Sequence, residues 1–113
     1  MDRIRKHRIF LRRLLRHRSN RSRRNKDIEG ATKSEVCAIC EIVKNLVHNE
    51  HLNIHPSDRS QRLLKKHRRL VEKLIARKVN SDSKRRILQK GAGGFLLPLL
   101  LGLVGPVVNR LLA

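Results

Sequence analysis

Apolar positions recur at helical spacing in separate stretches of the chain, and each stretch stops at a recognisable signal. Ile4, Ile9, Phe10, Leu11, Leu14 and Leu15 supply a narrow stripe through the spacings Ile4–Leu11–Leu15 and Phe10–Leu14. That pattern predicts a helix with arginine on its other faces. Past Leu15 it dies. Arg18 to Lys26 contains no apolar side chain and predicts a disordered basic linker, with Gly30 closing the section.

Thr32-Lys33-Ser34-Glu35 has capping-box spacing, a hydroxyl to accept from the third helical N–H and a Glu to reach back. Val36, Ile39, Cys40, Val43, Leu46 and Val47 follow at i, i+3, i+4, i+7 spacing, predicting an amphipathic helix over residues 33–50 that Asn53 and Pro56 end. Ser57-Asp58 opens the next, over 57–78. Leu63, Leu64, Leu70, Val71, Leu74 and Ile75 lie on one side, and Arg62, Lys65, Lys66, Arg68, Arg69 and Lys73 on the other. Asn80-Ser81-Asp82 punctuates, and a short basic helix over 82–90 stops at Gly91. Two similar stripes joined by a short turn should pack as an antiparallel hairpin. The predicted class is therefore all-α: a small helical hairpin of two to three amphipathic helices. Three regions follow: a basic helix and arm over 1–30, the hairpin with its short basic helix over 31–90, and an apolar tail over 91–113. A core of that size gives only marginal stability.

The tail differs in kind. Phe95 to Val108 is a run of 14 residues without a polar side chain, borderline against the about 20 apolar residues that a spanning helix needs. Pro98, Gly102, Gly105 and Pro106 argue against a straight span, because each proline removes a backbone donor that lipid cannot replace. The expectation is a bent segment in which Phe95, Leu96, Leu97, Pro98, Leu99 and Leu100 insert into a membrane or bury against a capsid partner.

Charge sharpens this layout. The 113 residues carry 28 Lys and Arg against 9 Asp and Glu, a formal net charge of +19. Residues 1–26 hold 12 bases and 1 acid, 27–58 hold 2 and 6, 59–90 hold 13 and 2, and the tail has only Arg110. Two basic blocks thus flank a mildly acidic middle. A solvated face normally mixes Glu with Lys, whereas such blocks self-repel until an anion neutralises them. Nucleic acid and anionic membrane are the natural partners.

Arginine outnumbers lysine in the N-terminal arm, which favours bidentate phosphate contact. Phe10 and Phe95 are the only aromatics, so base stacking on aromatic platforms is ruled out. With few Asn or Gln on the basic faces, the pattern points to double-stranded DNA held by its phosphate backbone without sequence preference. The candidate contacts are Arg12, Arg13, Arg16, Arg21, Arg23 and Arg24 in the arm, Lys65, Lys66, Arg68 and Arg69 in the hairpin, and Lys84, Arg85 and Arg86 before the glycines.

Other chemistry is thin. Cys37 and Cys40 with His48, His51 and His55 form the only metal-like cluster. Only 7 residues separate Cys40 from His48, against about 12 in zinc fingers. The preferred reading is core cysteines and surface histidines near a helix C-terminus. No pair of acids sits in an apolar setting that would split two carboxylate pKa values. Gly91-Ala92-Gly93-Gly94 follows a helix and precedes an apolar run, the wrong context for cradling phosphate. No enzyme, cofactor or metal is expected.

The last third, Lys84-Arg85-Arg86-Ile87-Leu88-Gln89-Lys90 and then Gly93-Gly94-Phe95-Leu96-Leu97-Pro98-Leu99-Leu100, resembles the C-terminal half of the adenovirus core protein X family, precursors of the mu peptide. A longer stretch, 37–113, is similar to small proteins of Polinton (Maverick) elements and adintoviruses. It carries Ala38-Ile39-Cys40-Glu41, Asn45, Lys78-Val79-Asn80 and the Lys-Arg-Ile-Leu run before the glycines. The resemblance implies a minor virion core protein that condenses genomic DNA and reaches the host nucleus. It also implies proteolytic cleavage at Gly94–Phe95, although Gly91 stands where the family protease takes Met, Ile or Leu. A rival expectation is a membrane-active or tail-anchored protein on an intracellular membrane, with Lys84, Arg85, Arg86 and Lys90 drawing anionic lipid.

Overall fold

The Thr32 capping box forms as its spacing requires. Thr32 N donates to Glu35 Oε1 at 2.8 Å, and Glu35 N donates to Thr32 Oγ1 at 3.1 Å. In the computed structural model, which describes residues 2–48 and 58–112, this box starts the central helix of an all-α fold. No strand occurs among the described residues.

The elements are α1 (Asp2–Lys6), α2 (Arg8–Arg16), α3 (Arg21–Glu29), α4 (Lys33–His48), α5 (Asp58–Lys66), α6 (Arg68–Ile75) and α7 (Ser81–Lys90). A single 3-10 turn over Gly91–Gly94 leads into α8 (Leu96–Leu112). The stop expected at Asn53 and Pro56, the start at Ser57, and His51 and His55 lie outside the described residues, as do the side chains of Leu46 and Val47.

Two of the basic helices bend at a histidine. His7 separates α1 from α2, and His67 separates α5 from α6, each with φ near −105° and ψ near 25°. This is the sparsely populated bridge region. Backbone bonding continues through both bends, from His7 N to Arg3 O and Leu11 N to His7 O, and from His67 N to Leu63 O and Val71 N to His67 O. The helix expected over 57–78 is therefore two, and it ends at Ile75, where Ala76 turns extended.

The structure differs most from expectation in the arm. Arg18 to Lys26, expected to be disordered, supplies most of α3. Asn20 caps it by accepting from Arg23 N at 3.1 Å, and Ile28 anchors it, fully buried. Its second tie is electrostatic. Asp27 accepts from His17 Nδ1 at 2.7 Å and faces Arg13 Nε at 3.4 Å. A nine-residue helix with one apolar side chain is not stable alone; its neighbours hold it.

α4 is the hub. It packs against α1, α6, α7 and α8, while α2 lies on α3 and α8 and α7 lies on α3 and α6. One core runs through Ile4, Leu14, Ile28, Val36, Val43, Leu74, Leu88, Leu96, Leu97 and Leu100, all at most 2% exposed. α4 packs against α6, but every other helix shares their core, and the turn expected between them lies outside the described residues. The tail is the second correction. Leu96, Leu97, Leu100 and Leu101 are buried within the chain itself, and Pro98 falls in the first turn of α8, where its missing N–H would have had no helical partner. Of the tail residues expected to meet a membrane or capsid protein, only Phe95 stands out, 51% exposed, with Pro98 and Leu99 half-buried. No helix among the described residues is long and apolar enough to cross a membrane.

Candidate nucleic-acid interface

Charge is distributed over a body of 32 × 30 × 29 Å. A surface of 7300 Å² carries the net +19, roughly one unit charge per 380 Å². Two helical faces concentrate it.

The first face belongs to α2. Its apolar stripe, Phe10, Leu11, Leu14 and Leu15, is buried, which turns Arg8, Arg12, Arg13 and Arg16 outward. Arg8, Arg12 and Arg16 stand one above the other at i, i+4 and i+8, spanning about 12 Å at 1.5 Å per residue. A duplex presents about seven phosphate charges over that length, at one per 1.7 Å. Arg8 was not among the expected contacts, yet its four-residue spacing to Arg12 carries the signal. Exposed Ile9 lies beside it. Arg21 and Arg23 on α3 are also exposed, and the Arg21 guanidinium lies over Gly94, Nη2 being 3.3 Å from where a Cβ would stand. Gly93 and Gly94 have φ of 68° and 86°, the left-handed region that favours glycine.

The second face is the α5–α6 bend. Burial of Val71 and Leu74 leaves Lys65, Lys66, Arg68 and Arg69 exposed. The bend at His67 opens a concavity of about 330 Å³ lined by Lys65, Lys66, His67, Arg68, Arg69 and Leu70. The one described acid here is Glu72, 3.5 Å from Arg68 and largely exposed, an i,i+4 pair worth only about 0.3–0.5 kcal/mol. The described residues that line this concavity include no carboxylate.

Three of the described acids are engaged elsewhere. Asp27 holds His17 and Arg13, Glu35 closes the cap, and Glu41 stands 4.0 Å from Arg3. Arg8, Arg16, Arg23, Lys65, Lys66 and Arg69 form no ion pair with a described acid.

Four expected DNA contacts are committed to the fold. Arg24 is 5% exposed and donates to Arg18 O; burial, then the charge of Arg21, lowers its pKa. Arg85 donates from Nη1 to Ile28 O, Glu29 O and Ala31 O at 3.0, 3.0 and 2.7 Å, clamping α7 to the C-terminal end of α3, where the helix dipole favours a cation. Lys84 is half-buried and its charge reaches the Cys40 thiol. Arg13 divides its guanidinium between Asp27 and the Phe10 ring, 5.8 Å from the centroid. Arg86 is exposed on α7. Side-chain periodicity does not reveal these roles, because apart from Phe10 each partner lies outside the residue's own helix.

Cys40 belongs to the buried stripe, and burial pushes its thiol up to about 11, partly offset by Lys84. Among the described residues no group of His, Cys, Asp and Glu could hold a metal ion. Comparison with protein families, curated proteins and solved structures finds no match for this chain.

Proposed function

We propose that this chain binds and condenses double-stranded DNA without sequence preference, as a minor core protein of an adenovirus-like or Polinton-like virion bound for the host nucleus. The observation that carries the reading is the acid-poor concavity at the His67 bend, with the arginine ladder of α2 as a second face. Both present charge without the Asn, Gln or aromatic groups that read bases. α2 lies on α3 and α8, and the α5–α6 bend is joined to α4 and α7 through α6, so the two faces stand on different helix pairs. A single molecule can then touch two duplexes and lower their mutual repulsion. The virion and nuclear part of the proposal rests on the likeness of Lys84–Lys90 and Gly93–Leu100 to the adenovirus core protein X family and of residues 37–113 to small Polinton and adintovirus proteins. Cleavage at Gly94–Phe95 belongs to the same proposal, and it would detach a helix that fills the core.

Replacing Lys65, Lys66 and Arg69 together by Gln tests the reading. Affinity for two unrelated 30-base-pair duplexes should fall by the same factor, tenfold or more at 100 mM NaCl. Light scattering from a long duplex should fall with it. Unchanged affinity, or loss confined to one sequence, overturns the proposal. Loss of vesicle binding with unchanged DNA affinity favours the membrane reading instead.

A further inference from the structure

A second concavity shares no lining residue with the α2 face or the His67 bend. It measures about 520 Å³, within the roughly 300–1,000 Å³ of small-ligand pockets. Leu74 and Ile75 of α6 and Cys37 and Cys40 of α4 form its apolar lining. Four cations reach it from four places: Arg3 on α1, Lys44 on α4, Arg77 in the turn after α6, and Lys84 on α7. Among the described lining residues one carboxylate stands against them, Glu41, 4.0 Å from Arg3.

Such a cluster is costly without an anion. Lys44, Arg77 and Lys84 form no ion pair with a described acid, and Lys84 is half-buried. Solvent-exposed lysines normally spread apart; here four separate elements bring their charges to one concavity. Its cations come from four elements and converge on one cleft, whereas the α2 arginines run in a line along a helix. Several phosphates on a small, flexible chain fit the converging arrangement, each taking a separate cation through charge-assisted hydrogen bonds.

We propose that this cleft is a binding site for a small oligophosphate anion, such as tripolyphosphate or the triphosphate of a nucleotide, held by Arg3, Lys44, Arg77 and Lys84. The site is separate from the DNA faces, so its failure would leave duplex affinity as it is.

Cys37 reports on occupancy. It lines the cleft and is half-buried, whereas Cys40 is buried. The full chain is treated with N-ethylmaleimide, a neutral reagent that the cations do not attract, at pH 7.5 and 150 mM NaCl. Tandem mass spectrometry follows the rate at Cys37 with and without 1 mM tripolyphosphate or ATP. Either anion should slow labelling at least fivefold. Equal protection by both means that phosphates alone are recognised, and stronger protection by ATP means that the nucleoside adds contacts; both outcomes support the site. Lys44→Gln with Arg77→Gln, both at exposed positions, should abolish the protection, with circular dichroism confirming the fold. Lys65→Gln with Arg69→Gln should keep it. No protection of the unaltered chain, protection that survives K44Q/R77Q, or equal loss in both double variants overturns the proposal.

Discussion

Arg85→Ala separates charge that folds the protein from charge that binds DNA. Arg85 sits in one of the most basic runs of the sequence, yet its Nη1 is directed at three carbonyl oxygens, Ile28 O, Glu29 O and Ala31 O, at 2.7–3.0 Å. One Nη1 carries two hydrogens, so three acceptors share the equivalent of two full bonds. Hydrogen bonds to a charged group contribute about 1.5–3 kcal/mol each, giving at most about 6 kcal/mol. Partial solvation at Glu29 and relaxation bring the expected loss to about 3 kcal/mol. Total stability for 113 residues is roughly 6–17 kcal/mol, so a large share would go. With a urea slope of about 2 kcal/mol per molar, the midpoint should drop by about 1.5 M. Arg85→Lys keeps the charge but not the planar fork, and should lose about half as much. While folded, both variants should keep the salt dependence of DNA binding, because no phosphate contact is removed. A midpoint shift under about 0.3 M, with the salt slope falling by about 0.9 as for one lost phosphate, would refute the structural role.

Four further outcomes follow from the same contacts. Leu97→Ala should cost about 2–5 kcal/mol in urea unfolding, while Ile9→Ala, at a position 76% exposed, should stay within about 0.5 kcal/mol; equal effects would contradict a tail built into the core. Asn20→Ala and Asn80→Ala each remove a side-chain acceptor from a helix start and should cost about 1 kcal/mol, which differential melting can read. The Cys40 thiol is raised to about 11 from 9.0, so the unfolded chain ionises first. Stability is then complete below pH 9 and falls, by about 2 kcal/mol, as pH rises to 11; chemical denaturation of Cys40→Ala should lack that decline. Gly94→Ala places a side chain at φ 86° and should destabilise by about 1 kcal/mol, measured by urea midpoint.

What the sequence revealed depends on where each determinant lies. α4 and α7 are legible because their signals are local: the Thr32–Glu35 box, the apolar stripe from Val36 to Val43, and Asn80 with Gly91 at either end of a basic run. α3 is not, because Ile28 is its single apolar residue and the groups that hold it, His17, Arg13 and Arg85, come from other parts of the chain. The break at His67 has no proline or glycine to announce it. The tail is ambiguous for a physical reason: a long apolar run reads equally as a surface for lipid or partner and as core, and here Leu96, Leu97, Leu100 and Leu101 are buried within the chain. Basic residues carry the same ambiguity. Arg24 and Arg85 look like Arg16 and Arg86 in composition, and only tertiary placement shows that the first pair donates to backbone carbonyls.

The salt dependence of duplex binding tests the DNA proposal most directly. Anisotropy of two labelled 30-base-pair duplexes, unrelated in sequence, is followed between 50 and 300 mM NaCl. Five to ten neutralised phosphates give a slope of log K against log salt between about −4.5 and −9, and the two duplexes should agree within about threefold. A slope shallower than about −2, or a hundredfold preference for one duplex, would contradict phosphate-backbone binding by the α2 and His67 faces.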